Sequence, residues 1–136
     1  MKNFLDNYIV MHLCKVEAGF PSPADNYIEE KLNIEEYLIK NKESTFLVKA
    51  AGESMLNVGI FPGDILVVDR SLEVKNQSIV IASINGDLTV KRISQKNKLG
   101  EIYLQSENID YPDIKLNEES NIMIWGIVTH SIHHLT

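Results

Sequence analysis

The sequence contains a single cysteine, Cys14, so no internal disulfide can form. That suits a reducing compartment, and the expected location is the cytoplasm. Positive charge is also scarce: 13 Lys and Arg stand against 19 Asp and Glu, a formal net charge of -6. A free-standing DNA-binding domain normally carries a basic patch or surplus. The balance therefore points to protein as the main partner and away from direct sequence-specific DNA binding. No apolar run approaches the roughly 20 residues that span a bilayer, so no membrane association is expected. Tyr8–Cys14 is a short apolar run after Lys2. Asp6, Asn7 and His12 interrupt that region, however, and Glu17 adjoins the small residue Ala18, which argues against a secretory signal. Internal repeats and low-complexity tracts are missing. His130, His133 and His134 have no acidic or cysteine partner at ligand-like spacing, so no metal or other cofactor is expected.

What is present is an ordinary globular balance, 44% apolar and 24% charged residues in a chain of 136. That length fits one domain. Residues 1–19 form an N-terminal arm whose apolar positions (Phe4, Leu5, Tyr8, Ile9, Met11, Leu13, Val16) follow neither a helical nor a strand period cleanly. Residues 20–136 form the body, opening with a short helical connector over 20–40. There Ser22 is a plausible N-cap with Pro23 behind it, and Asn33 with Glu36 is a second helix start. From residue 44 onward the pattern predicts a mainly β, compact, partly closed body. Its candidate strands are Thr45–Ala50, Asp64–Asp69, Ser78–Ile84, Leu88–Ile93, Glu101–Gln105, Ile114–Leu116 and Ile122–His130. Asn85-Gly86 predicts a type I′ hairpin, and Pro62-Gly63-Asp64 predicts a second turn. Trp125, in an apolar strand, is expected in the core, and Met55 is expected to pack.

Two residues carry candidate chemistry. In Ala51-Gly52-Glu53-Ser54-Met55 a strand ends, a glycine permits a sharp turn, and a serine follows it. A serine so placed can present its hydroxyl, while the backbone N–H groups of Ser54 and Met55 can face a developing oxyanion. A nucleophilic serine needs a base. None of the four histidines lies in a turn resembling a triad element, which leaves Lys91, in Leu88-Thr89-Val90-Lys91-Arg92-Ile93. Strand alternation gives each face one cation, so the pattern alone does not say whether Lys91 is buried. Taken singly, Ser54 reads better as a turn residue and Lys91 as a solvated strand lysine than either reads as catalytic. Catalysis sets a demand: with an ordinary pKa of about 10.4, roughly one lysine in 2,500 is neutral at pH 7. Burial would have to lower that value by about three units, at a cost on the order of 4 kcal/mol at neutral pH.

Ala50-Ala51-Gly52-Glu53-Ser54-Met55, Gly63-Asp64-Ile65-Leu66-Val67-Val68-Asp69 and Gly86-Asp87-Leu88-Thr89-Val90-Lys91-Arg92 together resemble the LexA-type self-cleaving serine peptidases. Ala18-Gly19-Phe20-Pro21-Ser22-Pro23-Ala24 is similar to that family's cleavage region, and Trp125-Gly126-Ile127-Val128-Thr129-His130 to its last strand. The resemblance spans about residues 18–130. It implies the LexA-type C-terminal peptidase fold, Ser54 as nucleophile, Lys91 as general base and Ala18-Gly19 as the scissile bond. It further implies a homodimer, self-cleavage promoted by the RecA filament on single-stranded DNA, and a trimmed product that joins a UmuC-type Y-family polymerase in translesion synthesis. The residues agree in part. Ala18-Gly19 is small enough to thread into a tight site, and the prolines at 21 and 23 favour extended backbone after it. The arm is too short for the DNA-binding domain that LexA-like repressors carry ahead of the cut. The competing readings are an interaction module that is never processed, a Ser–Lys peptidase acting on other proteins, and a repressor fragment.

Overall fold

The computed structural model describes residues 7–13, 15–21, 29–95, 100–117 and 121–136. The chain divides into two units, residues 1–40 and 41–136.

In the first unit, β1 (Ile9–His12) pairs antiparallel with β2 (Glu29–Leu32), with Ile9 opposite Leu32 and His12 opposite Glu29. Both strands are additions to the sequence reading, which found no period in the arm and expected the connector to be helical. Pairing across some twenty residues leaves no local signature, and no residue of β1 or β2 is buried, so neither alternates between core and solvent. A short helix, α1 (Ile34–Leu38), follows from the second expected start, where Asn33 Oδ1 accepts from the Glu36 amide at 3.1 Å. The expected cap at Ser22 lies outside the described residues, as does Cys14.

The second unit is one seven-stranded antiparallel sheet ordered β3-β4-β9-β5-β6-β7-β8. Its strands are β3 (Thr45–Lys49), β4 (Ile65–Asp69), β5 (Ile79–Ile84), β6 (Asp87–Gln95), β7 (Ile102–Gln105), β8 (Ile114–Lys115) and β9 (Ile122–Ile132). All seven fall where the alternation of Val, Ile and Leu predicts them, so the mainly β expectation is borne out. Asn85 and Gly86 take positive φ of 52° and 89°, as a type I′ turn requires.

The sheet buries apolar side chains in two clusters. Ala50, Met55, Ile60, Leu66, Val68 and Ile81 form one, and Val80, Ala82, Ile93 and Leu104 form the other. Strand β9 crosses between β4 and β5 through register shifts at Val67/Val68 and Ile81/Ala82. Gly126 sits at that crossing, where a Cβ would stand 2.8 Å from Val68 Cγ1 and 3.2 Å from the Asp69 carbonyl. Trp125, expected in the core, is instead 39% exposed and meets Phe46 edge-on at 6.4 Å. The register shift beside Gly126 changes which neighbours its side chain faces. No helix among the described residues is long and apolar enough to cross a membrane.

Candidate active site

The segment carrying Ser54 is a loop between β3 and β4, closed at its base by reciprocal hydrogen bonds. The Ala50 amide donates to the Asp64 carbonyl at 2.7 Å, and the Gly63 amide to the Ala50 carbonyl at 2.8 Å. The turn expected at Pro62-Gly63-Asp64 is present, with Gly63 at φ 90° and the Asp64 amide donating back to the Phe61 carbonyl. Asp64 is buried and its carboxylate accepts from the Phe61 amide at 2.9 Å; this bond, with a smaller contribution from His133, holds its pKa below the usual value. Inside the loop, Met55 and Ile60 are buried in the first cluster and act as its floor, as expected for Met55.

Ser54 itself is half-buried, one residue before that floor. The Met55 carbonyl accepts from the Val58 and Ile60 amides, and the Glu53 carbonyl accepts from the Leu56 amide and from Asn108 Nδ2. The carbonyls flanking Ser54 are thus held, whereas the amides of Ser54 and Met55 donate no hydrogen bond in this turn among the described residues. Two adjacent free N–H groups beside a serine hydroxyl are what an oxyanion site needs. Ser54 borders a cleft of about 200 Å³ lined on one side by Val48–Gly52, Met55 and Ile60 and on the other by Ile81 and Leu88–Val90.

Lys91 lies in β6 opposite Val80 and is buried, only 7% exposed, next to the second cluster. The structure thereby resolves which face of β6 turns inward: Lys91 and Ile93 are buried, Leu88 is exposed and Arg92 is half-buried. Burial pushes the Lys91 pKa below that of a free lysine, while the negative charge of Asp113 pulls it partly back up. Its ammonium nitrogen donates to Ser106 Oγ at 2.5 Å and lies 5.8 Å from the centre of the Tyr111 ring. No hydrogen bond joins Lys91 to Ser54 among the described residues.

The two candidates are linked through the segment after β7. Ser106 receives the Lys91 bond, the Glu107 carbonyl accepts from the Asn57 amide at 3.0 Å, and Asn108 Nδ2 reaches the Glu53 carbonyl at 2.9 Å. Glu107 also lies 3.1 Å from Arg92 Nε, next to Lys91 in β6. Ser106, Glu107, Asn108, Tyr111 and Asp113 all escaped the sequence reading. A polar run after a strand reads as loop, and nothing in its spacing shows that Ser106 is buried.

Ala18 and Gly19 lie in a bend whose residues are all exposed, and a Cβ on Gly19 would meet nothing within 4 Å. Of the histidines, His133 pairs with Asp64 at 2.5 Å and stacks against Phe61 with ring centres 4.8 Å apart. His130 contacts Thr129 and His134 contacts Thr136.

Residues 9–129 match the peptidase S24-like family. MucA of Escherichia coli is 38% identical over 125 residues, covering 91% of this chain and 84% of that protein. ImpA of Shigella flexneri is 41% identical over 119 residues, covering 88% and 79%. A LexA repressor of Shewanella denitrificans is 38% identical over 103 residues, covering 76% of this chain and 49% of the repressor. The chain belongs to the peptidase S24-like family, and UmuD-like proteins are among its close relatives there. The resemblance to LexA-type self-cleaving peptidases drawn from the motifs is therefore borne out.

Proposed function

We propose that the chain is a self-processing Ser–Lys peptidase of the SOS response, which cuts its own Ala18-Gly19 bond and then serves as an accessory subunit of a UmuC-type Y-family translesion polymerase. In this reading the arm, residues 1–19, is the substrate, and residues 20–136 hold the machinery. The observation that carries the reading is a lysine buried at 7% exposure whose hydrogen-bonded neighbour belongs to the segment that also pins the Ser54 turn. A buried, pKa-depressed lysine near a turn serine has no structural need that an apolar residue would not meet better.

The chemistry follows from the groups in place. Neutral Lys91 Nζ takes the proton of Ser54 Oγ as the oxygen attacks the Ala18 carbonyl carbon. The amides of Ser54 and Met55 donate to the oxyanion that forms. Collapse of the tetrahedral intermediate breaks the Ala18–Gly19 C–N bond, and the departing Gly19 nitrogen takes the proton from the Lys91 ammonium. Water then attacks the Ala18 ester on Ser54, giving one proton to Lys91, which returns it to the Ser54 oxygen. RecA filament on single-stranded DNA acts as a promoter of this reaction and contributes no bond-making group. Homodimerisation accords with cleavage either within a chain or between partners, since Ser54 lies well along the chain from Gly19.

Ser54→Ala and Lys91→Ala are expected to stay intact when incubated with RecA filaments, as read by mass spectrometry, while the parent chain loses residues 1–18. Cleavage of Ser54→Ala after Ala18 would overturn the mechanism. Without RecA, cleavage should be slow near neutrality and faster by about pH 10, as Lys91 loses its proton. A profile flat across that range removes Lys91 as the base.

A further inference from the structure

We propose that Ser106 is a positioning residue for Lys91, holding one N–H of its amine so that the lone pair is free to face Ser54, and that the two residues after it lock the Ser54 turn to the same short segment. This rests on the Ser–Lys reading and extends it to a residue outside the cleft.

The geometry is specific. Lys91 Nζ donates to Ser106 Oγ at 2.5 Å, and both residues are 7% exposed. This is the amine's only hydrogen bond among the described residues. A neutral primary amine has two N–H bonds and one lone pair, which rotation about Cε–Nζ would otherwise point in three directions. An acceptor that holds one N–H removes most of that freedom, and it leaves the lone pair unspent because the hydroxyl receives rather than donates. Ser106 is itself too buried to serve as a nucleophile, and it does not line the cleft. The next residues supply the second half of the device. Glu107 accepts from Asn57 and Asn108 donates to Glu53, so one segment grips the Ser54 turn on both sides of the serine. The charged and titratable groups around Lys91 are Asp113 and Tyr111 from the same loop, together with the Arg92–Glu107 pair. None of these offers a second acceptor to the amine among the described residues.

The test is the pH–rate profile of RecA-independent self-cleavage for the parent chain, Ser106→Ala, Ser106→Thr and Lys91→Ala. Ser106→Ala should lower the alkaline plateau about tenfold. It should also move the midpoint toward lower pH, because the lost acceptor favoured the charged amine. Ser106→Thr keeps the hydroxyl and should restore both values. A plateau and midpoint unchanged in Ser106→Ala, with Lys91→Ala inactive, would overturn the role of Ser106 while leaving the dyad standing. Persistent cleavage by Lys91→Ala would instead remove the dyad and this inference with it. A merely structural serine predicts a lower melting temperature with an unmoved midpoint, which also overturns the proposal. Should Ser106→Ala fail to fold, Ser106→Cys, nearly isosteric but a weak acceptor, is expected to show the same loss and the same shift.

Discussion

The two units differ in what holds them. Among the described residues, every buried apolar side chain belongs to residues 41–136, where two clusters are sealed by seven strands. In residues 1–40 no described residue is buried; Ile9, Val10, Met11, Val16 and Phe20 are exposed, and order comes from one strand pair and a five-residue helix. A two-stranded ribbon without a covered face has marginal stability of its own. A peptidase needs its substrate bond in extended, accessible backbone, and it needs its catalytic groups held to fractions of an ångström. On the proposed reading one chain supplies both, with the proposed scissile bond Ala18-Gly19 in the exposed arm and the proposed dyad of Ser54 and Lys91 in the packed body.

The sharpest way to break that contrast is to damage the body where it has no slack. Gly126→Ala would press a methyl group against Val68 and the Asp69 carbonyl. It should destabilise residues 41–136 by about 2–3 kcal/mol, measured by urea unfolding. A loss below about 0.5 kcal/mol would mean that the β4–β9 crossing is adaptable, and the contrast with the arm would weaken.

Next in size is Asp69, a buried carboxylate that accepts from Ser71, Ser44 and Asn41 and so joins the start of β3 to the end of β4. Its pKa is lowered from 3.8 to about 2, chiefly by the Ser71 hydroxyl. Because the folded value is depressed, this carboxylate contributes stability above pH 3.8 that is lost as pH falls through about 2. Asp69→Asn should cost about 2 kcal/mol at neutral pH. Its deficit relative to the parent should shrink over that acid window in pH-dependent denaturation curves.

Lys91 gives a smaller effect of opposite sign. Its folded pKa is lowered, so the cost of burying it is fully present below that value and is relieved as pH rises toward the unfolded value of 10.5. Lys91→Met should therefore stabilise the body at neutral pH by about 1 kcal/mol. The gain should fade in alkaline solution, as thermal unfolding at several pH values would show. An equal gain at all pH values would mean that the charge is not what makes Lys91 costly.

The smallest effect belongs to the first unit, residues 1–40. Asn33→Ala removes the cap on the Glu36 amide and should weaken α1 locally by about 1 kcal/mol, seen as faster hydrogen exchange at that amide.

How much was legible follows from how local each signal is. The body's strands, the Asn85-Gly86 and Pro62-Gly63 turns and the Asn33 cap each rest on residues within a few positions of one another, and all were readable. The arm hairpin was not, because β1 and β2 share no buried face to impose a period. Trp125 misled because an apolar strand was taken to bury both of its faces. At the site, the motifs pointed to Ser54 and Lys91, yet neither Ser106 nor its neighbours could be found, since a buried serine after a strand looks like any loop serine.

The sequence by itself determined the β pattern, the turn chemistry, the acidic balance and the family, because these depend on short-range composition and on motif spacing. Only the tertiary structure decided that Lys91 faces inward. Strand alternation offers two equivalent faces, and the choice is made by packing: Lys91 stands opposite Val80 and two residues before Ile93, both members of the second cluster. It also decided that the burial of that lysine is answered by a hydroxyl 15 residues along the chain, a contact that exists only once β6 and β7 are paired.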